Sequence, residues 1–596
     1  MRRTTSKLVG FGMLLVLAVM LVPGSASGTV PLHLTYPGTG ACAQSSTGLN
    51  DCIASATTGS TVTVKPGTYF ESGTAVMVSG VTVTGSCANP SAVVIDQGLA
   101  GDGFDVGVAN VTIECLKVRH GGNGHYGIAN IGANNGLHVT KFIAVDEENG
   151  VYQPTAGTSG FSVTGSTFLG MNGHGLVSFG TTGATISNNT FGGVDGDCMF
   201  FTSLTSGTVS NNTIGPCGGN AIATSGGASN TISGNKLHAI GGSCIYAVVT
   251  DTTITKNTIN GCKSAAVYVD GDYPTITANL ITGHVGAYTI EVQCGNGALI
   301  SGNKANGNSG NPFIYVCQNA TGHETITNNI ETNGNVSYGV ECTPCDNAIV
   351  TGNQILGGGH ESAIYVVGQN PVANSNVAAG DWDAYGFFVN CTSSCTAAQV
   401  EKNKESGSNS LFGYAIINDG CGSSFPCMTI SGNAATGNYE SGFALSTSYA
   451  QIMSNTASFN GFSFNGCHYS GFEIDGDFNQ LTANTATKNA CDGFWFNGGH
   501  NTLTSNIATG NIVHGFQVGY DANILNKNTA TGNDGDGFNN DGTNTVFTNN
   551  KASGNRQDCT NDNAAPSSES ASILTNTGNT CADHHIFDLP STLIGW

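Results

Sequence analysis

A phrase of about 22 residues recurs along the chain, and this repeat restricts the fold more than any other feature. Four close copies start at residues 433, 484, 506 and 528, where the sequence reads NAATGNYESGF, NTATKNACDGF, NIATGNIVHGF and NTATGNDGDGF. A fixed period between 20 and 50 residues indicates a solenoid or a propeller. The chain is therefore expected to repeat one small structural unit, called a rung below.

Each repeat contains three short β-type runs, such as NTLTSN, IATGN and GFQVGY. Gly, Asn and Asp separate these runs, and such residues tolerate the positive φ angles of tight turns. The array lacks the runs of about ten helix formers that a helical repeat needs. The sequence predicts an all-β solenoid, a parallel β-helix of about 20 rungs with three short strands per rung.

Residues at one phase of the repeat should stack about 4.8 Å apart. Stacked Asn residues are expected to adopt the left-handed turn conformation and to bond to one another through their amides. The first Asn row contains Asn189, Asn212, Asn235, Asn257, Asn279, Asn303, Asn329, Asn353, Asn403, Asn433, Asn455, Asn484, Asn506, Asn528 and Asn550, with Asn376 and Asn576 in the gaps. A second row contains Asn438, Asn460, Asn489, Asn511, Asn533 and Asn555, and an interior row contains Phe443, Phe494, Phe516 and Phe538.

The N-terminus has the pattern of a secretory signal peptide over residues 1–26. Arg2, Arg3 and Lys7 precede an apolar run and then small residues, so cleavage is expected after Ala26. Residues 27–60 are predicted to form an N-terminal cap that includes a short helix with Leu49, Cys52, Ile53 and Ala56 on one face. The β-helix is assigned to 61–556, and a C-terminal cap and tail to 557–596. We expect a secreted monomer on the cell envelope or outside the cell, without a transmembrane span.

The charge balance excludes several classes of partner. The chain has 17 basic and 39 acidic residues, for a net charge of −22. Nucleic acids and anionic lipids require a basic surface, so neither is an expected partner. Anionic polysaccharides would be repelled as well, unless a divalent cation bridges them to the protein.

The 20 cysteines of a secreted chain indicate disulfides. One offset between neighbouring rungs recurs in three pairs: Cys198–Cys217, Cys244–Cys262 and Cys559–Cys581. Extending the rule pairs Cys42–Cys52, Cys87–Cys115, Cys294–Cys317 and Cys467–Cys491, and leaves the local pairs Cys342–Cys345, Cys391–Cys395 and Cys421–Cys427. The CTPC motif in one local pair also fits a redox or metal site.

The rungs resemble the parallel β-helix repeats of the pectate-lyase-like superfamily. The segment CIASATTGSTVTVKPGTYFESGTAVMVSGVTVTG is similar to the N-terminal cap and first rungs of its secreted members. The resemblance covers residues 42–581 and implies a right-handed β-helix, a fold that carries lyases, hydrolases, epimerases and adhesins. NGHGLVSFG resembles the GHG element of polygalacturonase-type hydrolases and would make His174 catalytic. The other elements of those hydrolases are missing, as is the Asp-Pro-His element of mannuronan epimerases.

The turn after the second strand carries the main catalytic candidates. In successive rungs this turn contains Arg119, His120, Asp146, Glu147, Glu148, His174, Asp195 and Asp197. Crowded carboxylates raise one another's pKa and a nearby cation lowers it, which can supply the acid and the base for glycoside cleavage. A solvated polar turn explains the same residues.

Two further sets of residues suggest binding. Asp381, Trp382, Asp383 and Tyr385 could hold a sugar ring, although Trp382 could equally pack over the core. The Asp-Gly-Asp turns with Asp195, Asp197, Asp534 and Asp536 could bind calcium, the one candidate cofactor, and they also match ordinary turn chemistry.

Two functions remain open from sequence. One is a protein that binds extracellular polysaccharide and cleaves it as a hydrolase or lyase. The other is a non-enzymatic structural or adhesive rod of the cell envelope. Whether the chain is an enzyme is undecided at this stage.

Overall fold

The computed structural model describes residues 30–561 and 575–581, apart from 72, 133–134, 294, 311, 318–321, 381, 393, 408–409, 420, 423–424, 463–466 and 468. An α-helix lies at Gly48–Ala54, and 3-10 helices lie at Gly40–Cys42 and Pro90–Ala92. The α-helix buries Leu49, Cys52 and Ile53, the face that the sequence predicts. Within the described ranges, no helix is long and apolar enough to cross a membrane.

Three strands per rung make the rest of the described chain. The first strands form one 23-stranded sheet: His33–Tyr36, Thr61–Val64, Thr82–Thr84, Thr112–Glu114, His138–Thr140, Ser162–Thr164, Thr185–Ser187, Thr208–Ser210, Thr231–Ser233, Thr253–Thr255, Thr275–Thr277, Leu299–Ser301, Thr325–Thr327, Ile349–Thr351, Val372–Asn374, Ala398–Glu401, Met428–Ser431, Ala450–Met453, Gln480–Thr482, Thr502–Thr504, Ile524–Asn526, Val546–Thr548 and Thr575–Thr577.

The second strands are Gly67–Phe70, Val93–Asp96, Lys117–Asn130, Ile143–Gln153, Thr167–Leu169, Thr190–Gly192, Thr213–Ile214, Lys236–Ile240, Thr258–Cys262, Leu280–Thr282, Lys304–Asn306, Ile330–Thr332, Gln354–Ile355, Val377–Ala379, Lys404–Ser406, Ala434–Thr436, Thr456–Ser458, Thr485–Thr487, Ile507–Thr509, Thr529–Thr531, Lys551–Ser553 and Thr580–Cys581. Lys117–Asn130 and Ile143–Gln153 continue without a break into the third sheet.

The other third strands are Thr74–Val76, Phe104–Val106, Leu176–Phe179, Met199–Thr205, Ile222–Ala228, Ile245–Thr250, Val267–Asp270, Ile290–Gln293, Ile314–Val316, Asn335–Cys342, Gly358–Gly368, Tyr385–Cys391, Phe412–Asn418, Phe443–Ser446, Phe472–Ile474, Phe494–Phe496, Phe516–Val518, Asp536–Asn540 and Gln557–Asn561. Short extra strands lie at Thr158–Ser159, Thr181–Thr182 and Ser309–Gly310.

Equivalent strands of successive rungs pair in parallel and in register, so the predicted parallel β-helix is confirmed. Ile186 pairs with Val209, and Val209 pairs with Ile232, one residue per rung. The sheets extend past the predicted limits of 61 and 556. His33–Tyr36 pairs with Thr61–Val64, and Thr575–Thr577 pairs with Val546–Thr548.

The Asn rows are continuous buried ladders. The backbone N–H and the side-chain Nδ2 of Asn506 both donate to Oδ1 of Asn528, at 2.8 and 3.0 Å. The second row behaves alike, and Asn511 donates twice to Asn533. The predicted left-handed conformation belongs instead to the preceding residue, such as Ser505 with φ of 57°. This residue turns the chain so that both the backbone and the side chain of the Asn face inward.

The first ladder ends differently from the prediction. Asn550 donates to Oδ1 of Asn579, whereas Asn576 pairs with Phe547 in the first sheet. Asn576 was therefore the wrong choice for the gap. The rung that leads to Asn579 is longer, so counting a constant step places the ladder position too early.

An aromatic stack fills the interior beside the second Asn ladder. The predicted Phe row is present and includes Tyr414 and Phe472, with neighbouring ring centroids 4.6–4.9 Å apart from Phe387 to Phe538. A glycine precedes each Phe from Phe443 to Phe538, because a Cβ there would collide with the ladder. At Gly493 it would lie 2.8 Å from Nδ2 of Asn511 and 2.7 Å from the carbonyl of Gly515.

Nine of the ten predicted disulfide pairs are present: Cys42–Cys52, Cys87–Cys115, Cys198–Cys217, Cys244–Cys262, Cys342–Cys345, Cys391–Cys395, Cys421–Cys427, Cys467–Cys491 and Cys559–Cys581. Cys294 lies outside the described residues, so its pairing with Cys317 stays a prediction. The CTPC cysteines are joined to each other, as a structural staple requires.

Candidate functional site

One column of residues on the third sheet points away from the core, and we call it the outer row. Its members pair from rung to rung in this order: Asp105, Ala129, Tyr152, Val177, Phe200, Ala223, Tyr246, Tyr268, Glu291, Tyr315, Glu341, Tyr365, Phe388, Ala415, Ala444, Glu473, Trp495, Gln517 and Asn539. Side chains on this row face outward because neighbours in the strand alternate between core and surface. The row therefore presents aromatic rings and carboxyl groups along one side of the rod.

Rings of the outer row contact one another and rings near the start of the third strands. Tyr246 stacks on Tyr268 with centroids 4.9 Å apart, and Tyr365 stacks on Phe388 at 4.6 Å. Tyr338 and Tyr385 lie near the start of third strands, and they are 5.3 Å from Tyr365 and from Phe388 respectively. All of these rings are half-buried, so each keeps an accessible part. The contacts fix the rings as a rigid aromatic surface.

Carboxyl groups interrupt the aromatic surface at its centre. Glu341 lies between Tyr315 and Tyr365 in the outer row. Burial raises the pKa of Glu341, and the nearby carboxylate of Glu361 raises it further. Burial also raises the pKa of Glu291, although a 2.7 Å hydrogen bond from Gln293 opposes this shift. Both carboxyl groups are therefore desolvated by the residues packed around them.

A second pair of carboxyl groups, Glu473 of the outer row and its neighbour Glu440, lies toward the C-terminal end of the row. Ser441 donates a 3.0 Å hydrogen bond to Glu473, and Glu473 pairs with Trp495 on the next rung. Burial raises the pKa of Glu473 to about 7 despite the Ser441 bond, with further contributions from Asp475 and Glu440. Glu473 can therefore act as a proton donor near neutral pH.

A pocket of about 310 Å³ adjoins this pair. Its walls are formed by Cys467, Ser470, Asp492, Trp495, Val513, His514, Gln517 and Asn539. Burial raises the pKa of Asp492 to about 6, against the hydrogen bond from the His514 backbone and the charge of the His514 ring. The pocket thus combines an indole ring with hydrogen-bonding groups.

The predicted catalytic residues of the early rungs do not act as one set. Arg119 Nε lies 3.0 Å from Oδ2 of Asp96, and His120 Nδ1 lies 3.2 Å from the same carboxylate. Burial opposes ionisation of Asp96, but the His120 and Gly98 hydrogen bonds and the charges of His120 and Arg119 lower its pKa overall. Arg119 and His120 therefore stabilise a buried carboxylate that the sequence did not single out.

Glu147 faces the interior and cannot reach a substrate. The residue is 0% exposed, and neither carboxyl oxygen has a described hydrogen-bond partner within normal geometric limits. Burial raises the pKa of Glu147 to about 8, and nearby Asp146, Asp102 and Asp96 add to the shift while the Gly121 backbone opposes it. The pKa values of neighbouring carboxyl groups are thus split, as predicted: that of Asp96 is lowered and that of Glu147 is raised. However, Asp96 is bound by Arg119 and His120, and Glu147 is buried.

His174 and Asp197 are held by the backbone of the following rungs. Nδ1 of His174 accepts a 3.0 Å hydrogen bond from the Asp197 N–H, and Oδ1 of Asp197 accepts one from the Asn220 N–H. This is the structural role that the solvated-turn interpretation predicts. Asp146 and Asp195 are exposed, and Glu148 is half-buried.

A different carboxyl pair lies beside these residues and was not predicted. Burial and a hydrogen bond to Asp102 raise the pKa of Asp105 to about 6, and His125 opposes the shift. His125 Nδ1 lies 3.5 Å from Oδ1 of Asp102. Asp105 therefore retains its proton at higher pH than a free Asp does, because it is half-buried beside Asp102.

The predicted sugar-binding group divides in two. Trp382 is 1% exposed and packs against Gly359, where a Cβ would lie 2.5 Å from the ring, so the interpretation as a sugar platform is wrong. Tyr385 is half-buried, stacks on Phe412 and belongs to the aromatic surface. Asp383 is exposed, and Asp381 lies outside the described residues.

The predicted calcium ligands lie in two turns that are far apart along the rod. Asp195 and Asp197 occupy an early rung, whereas Asp534 and Asp536 occupy a late one. Across the described ranges, one group of three candidate ligands comes together, formed by Cys87, Glu114 and Cys115. Cys87 and Cys115 are joined in a disulfide, so this group is unsuited to a metal. Calcium binding stays a prediction.

Sequence reasoning missed the outer row, although a signal for it exists. The residue after the inward aliphatic or Phe position is Tyr, Glu, Phe or Trp in many third strands, as in IYA, VYV, IEV, FEI and FWF. This position varies in chemistry between rungs, so a search for identical residues overlooks it.

Comparisons with known proteins agree with the architecture. A family model described as right handed beta helix region matches residues 149–287. This match agrees with the parallel coil of strands, so the fold of the chain is a parallel β-helix. No curated protein sequence matches the chain.

Several solved structures are similar at low identity. The PL6 family alginate lyase AlyGC has a TM-score of 0.38 and 12% identity, with 92% of this chain and 100% of that chain covered. The GH87 alpha-1,3-glucanase catalytic unit from Streptomyces thermodiastaticus strain HF3-3 has a TM-score of 0.32 and 13% identity, covering 69% and 70%. DFA-IIIase from Arthrobacter chlorophenolicus A6 has a TM-score of 0.35 and 11% identity, covering 59% and 94%. These likenesses concern the fold alone.

Proposed function

We propose that the protein is an extracellular polysaccharide-binding β-helix, and that the glycan lies along the outer row. The observation that carries this proposal is the aromatic surface from Tyr246 to Phe388, with Trp495 further along the same row. Half-buried rings held rigidly at about 4.8 Å per rung offer apolar faces to sugar rings at little entropic cost. The nine disulfides suit an oxidising compartment outside the cell.

The acidic groups indicate a neutral glycan. The half-buried Glu341 and Glu473 lie in the outer row with the aromatic rings, and the chain has a net charge of −22. An anionic chain would meet repulsion along the whole row unless divalent cations bridged it.

Affinity electrophoresis against neutral glucans, xylans and mannans tests the proposal. Tyr365→Ala should weaken binding of the preferred polymer by about tenfold, because one stacked ring contributes about 1.4 kcal/mol. The matched control is Phe478→Ala, since Phe478 is a 42% exposed, stacked ring on a different edge of the rod. No binding by the natural chain, or equal losses in the two variants, would overturn the proposal.

Cleavage is a second candidate function, favoured by the Glu440–Glu473 pair. The raised pKa of Glu473 suits a general acid, and a neighbouring carboxylate suits a base or a nucleophile. Chromatography of the reaction products decides between the two functions. Products that disappear in Glu473→Gln, with binding retained, would establish hydrolysis at this pair. Binding without products would assign the protein to the class of non-enzymatic rods.

A further inference from the structure

The pocket beside Trp495 differs from the rest of the outer row because it has walls. The aromatic surface between Tyr246 and Phe388 is built from rings that stack on other rings. No stacking contact joins Trp495 to another described ring, and the next outer-row residue is Gln517. The indole is half-buried and lines the pocket, so part of it is accessible to a ligand.

Asp492 and His514, which line the pocket beside the indole, can form hydrogen bonds with a ligand. Oδ1 of Asp492 accepts a 2.8 Å bond from the His514 N–H, and its second oxygen has no hydrogen-bond partner among the described residues. Nδ1 of His514 accepts a 3.0 Å bond from the Asp536 N–H, so the neutral ring carries its proton on Nε2. One acceptor and one donor are thus available from two residues whose positions the backbone fixes.

One wall of the pocket is covalently fixed. Cys467 lines the pocket, and its disulfide to Cys491 ties this residue to the rung that carries Asp492 and Trp495. The volume of about 310 Å³ is at the small end of the range for small-molecule sites. A single ring fits this space better than an extended chain does.

We infer that this pocket is a terminal subsite that holds one neutral pyranose ring of a glycan. The indole of Trp495 would stack on the apolar face of the sugar, while Asp492 and His514 would bond to its hydroxyl groups. Asp492 and the adjacent Glu473 disfavour a uronic acid at this position. This inference rests on the proposed function, since the remainder of the glycan would continue along the outer row.

The position of the pocket makes a separate test possible. Five rungs separate Trp495 from Tyr365, or about 24 Å at the spacing of a sheet. A trisaccharide is too short to reach from one to the other. A trisaccharide held in the pocket therefore cannot contact Tyr365, whereas a polymer can contact the pocket and the aromatic surface together.

Calorimetric titration of the full chain with neutral trisaccharides of β-1,4-linked glucose, mannose and xylose tests the inference. Trp495→Ala should weaken the best trisaccharide by tenfold or more, and Trp495→Phe should restore most of the affinity. Phe478→Ala should leave trisaccharide affinity unchanged. Trigalacturonate should bind at least about tenfold more weakly than the best neutral trimer.

The outcomes separate the two proposals. Trisaccharide binding that survives Trp495→Ala, or tight binding of trigalacturonate, would overturn the pocket inference. Polymer binding that depends on Tyr365, without any trisaccharide binding, would also overturn it but leave the proposed function intact. If neither trimer nor polymer binds, both proposals are wrong.

Discussion

Ser441 donates a 3.0 Å hydrogen bond to the carboxyl group of Glu473, one rung away from Trp495. This bond stabilises the ionised form of Glu473, whereas burial destabilises that form more strongly and holds the pKa at about 7. The carboxyl group thus changes charge near neutral pH beside an accessible indole. The fluorescence of Trp495 should therefore report whether Glu473 is protonated.

The fluorescence of Trp495 should titrate with an apparent pKa near 7 in a chain where Trp382 and Trp596 are replaced by Phe. Ser441→Ala removes a bond to the carboxylate, so the midpoint should move to higher pH. Glu473→Gln should abolish this transition and leave the one from Asp492 near 6. An unchanged midpoint in Ser441→Ala would contradict the assigned role of the serine.

Stability should fall as the pH rises from about 4.5 to about 8, in part because of Glu147. The folded protein holds a proton on Glu147 up to about pH 8, whereas the unfolded chain releases it near 4.5. The folded state therefore binds more protons in this window, and the free energy of unfolding decreases with pH. Glu147→Gln should flatten this dependence in thermal melts, and Glu148→Gln, which changes a half-buried neighbour, should retain it.

Asn506→Ala should destabilise the protein strongly although it removes no charge and little volume. The side chain of Asn506 donates to Asn528 and to the carbonyl of Leu481, and its oxygen accepts two bonds from Asn484. Each buried group left unpaired costs about 1–3 kcal/mol. Denaturant unfolding measures the loss, and the exposed Asn260→Ala serves as control. Equal stability of the two variants would refute the ladder as a stabilising element.

Gly493→Ala should lower the melting temperature, because a methyl group there meets the Gly515 carbonyl, Nδ2 of Asn511 and Cβ of Ala508 within 3 Å. The φ of Gly493 is not positive, so the cost comes from the collision alone. Gly532→Ala is the informative comparison, since its Cβ would meet nothing within 4 Å but its φ is 63°. Gly493→Ala should be the more destabilised of the two in a calorimetric melt.

The register predicts a tenth disulfide between Cys294 and Cys317. Residues of neighbouring rungs at matching offsets lie close enough for a bond, as Cys244 and Cys262 show. A non-reducing peptide map should recover Cys294 and Cys317 in one linked pair, and the denatured protein should have no thiol that reacts with an alkylating agent. Two reactive thiols would show that the rule fails at this rung.

The sequence by itself determined the inward-facing features. Asn506, Asn528, Phe516 and Gly515 occupy positions where every rung must present the same shape to the rungs above and below. Because of this requirement, identical residues recur in the sequence at a fixed period. The coil, its register and most disulfide pairs can therefore be predicted without coordinates. The sequence did not predict Asn579 as the end of the ladder, because the preceding rung is longer and shifts the ladder position within the repeat.

The tertiary structure decided the outward and contextual features. The repeat does not conserve the residue type at Glu473, Trp495 and Asp492. The role of each depends on the neighbours that strand pairing places beside it. The same holds for Trp382, which enters the core, and for Glu147, whose interior position is set by space beside Gly121. Periodicity records what repeated stacking requires, whereas the state of a carboxyl group or the accessibility of a ring depends on local packing that differs at every rung.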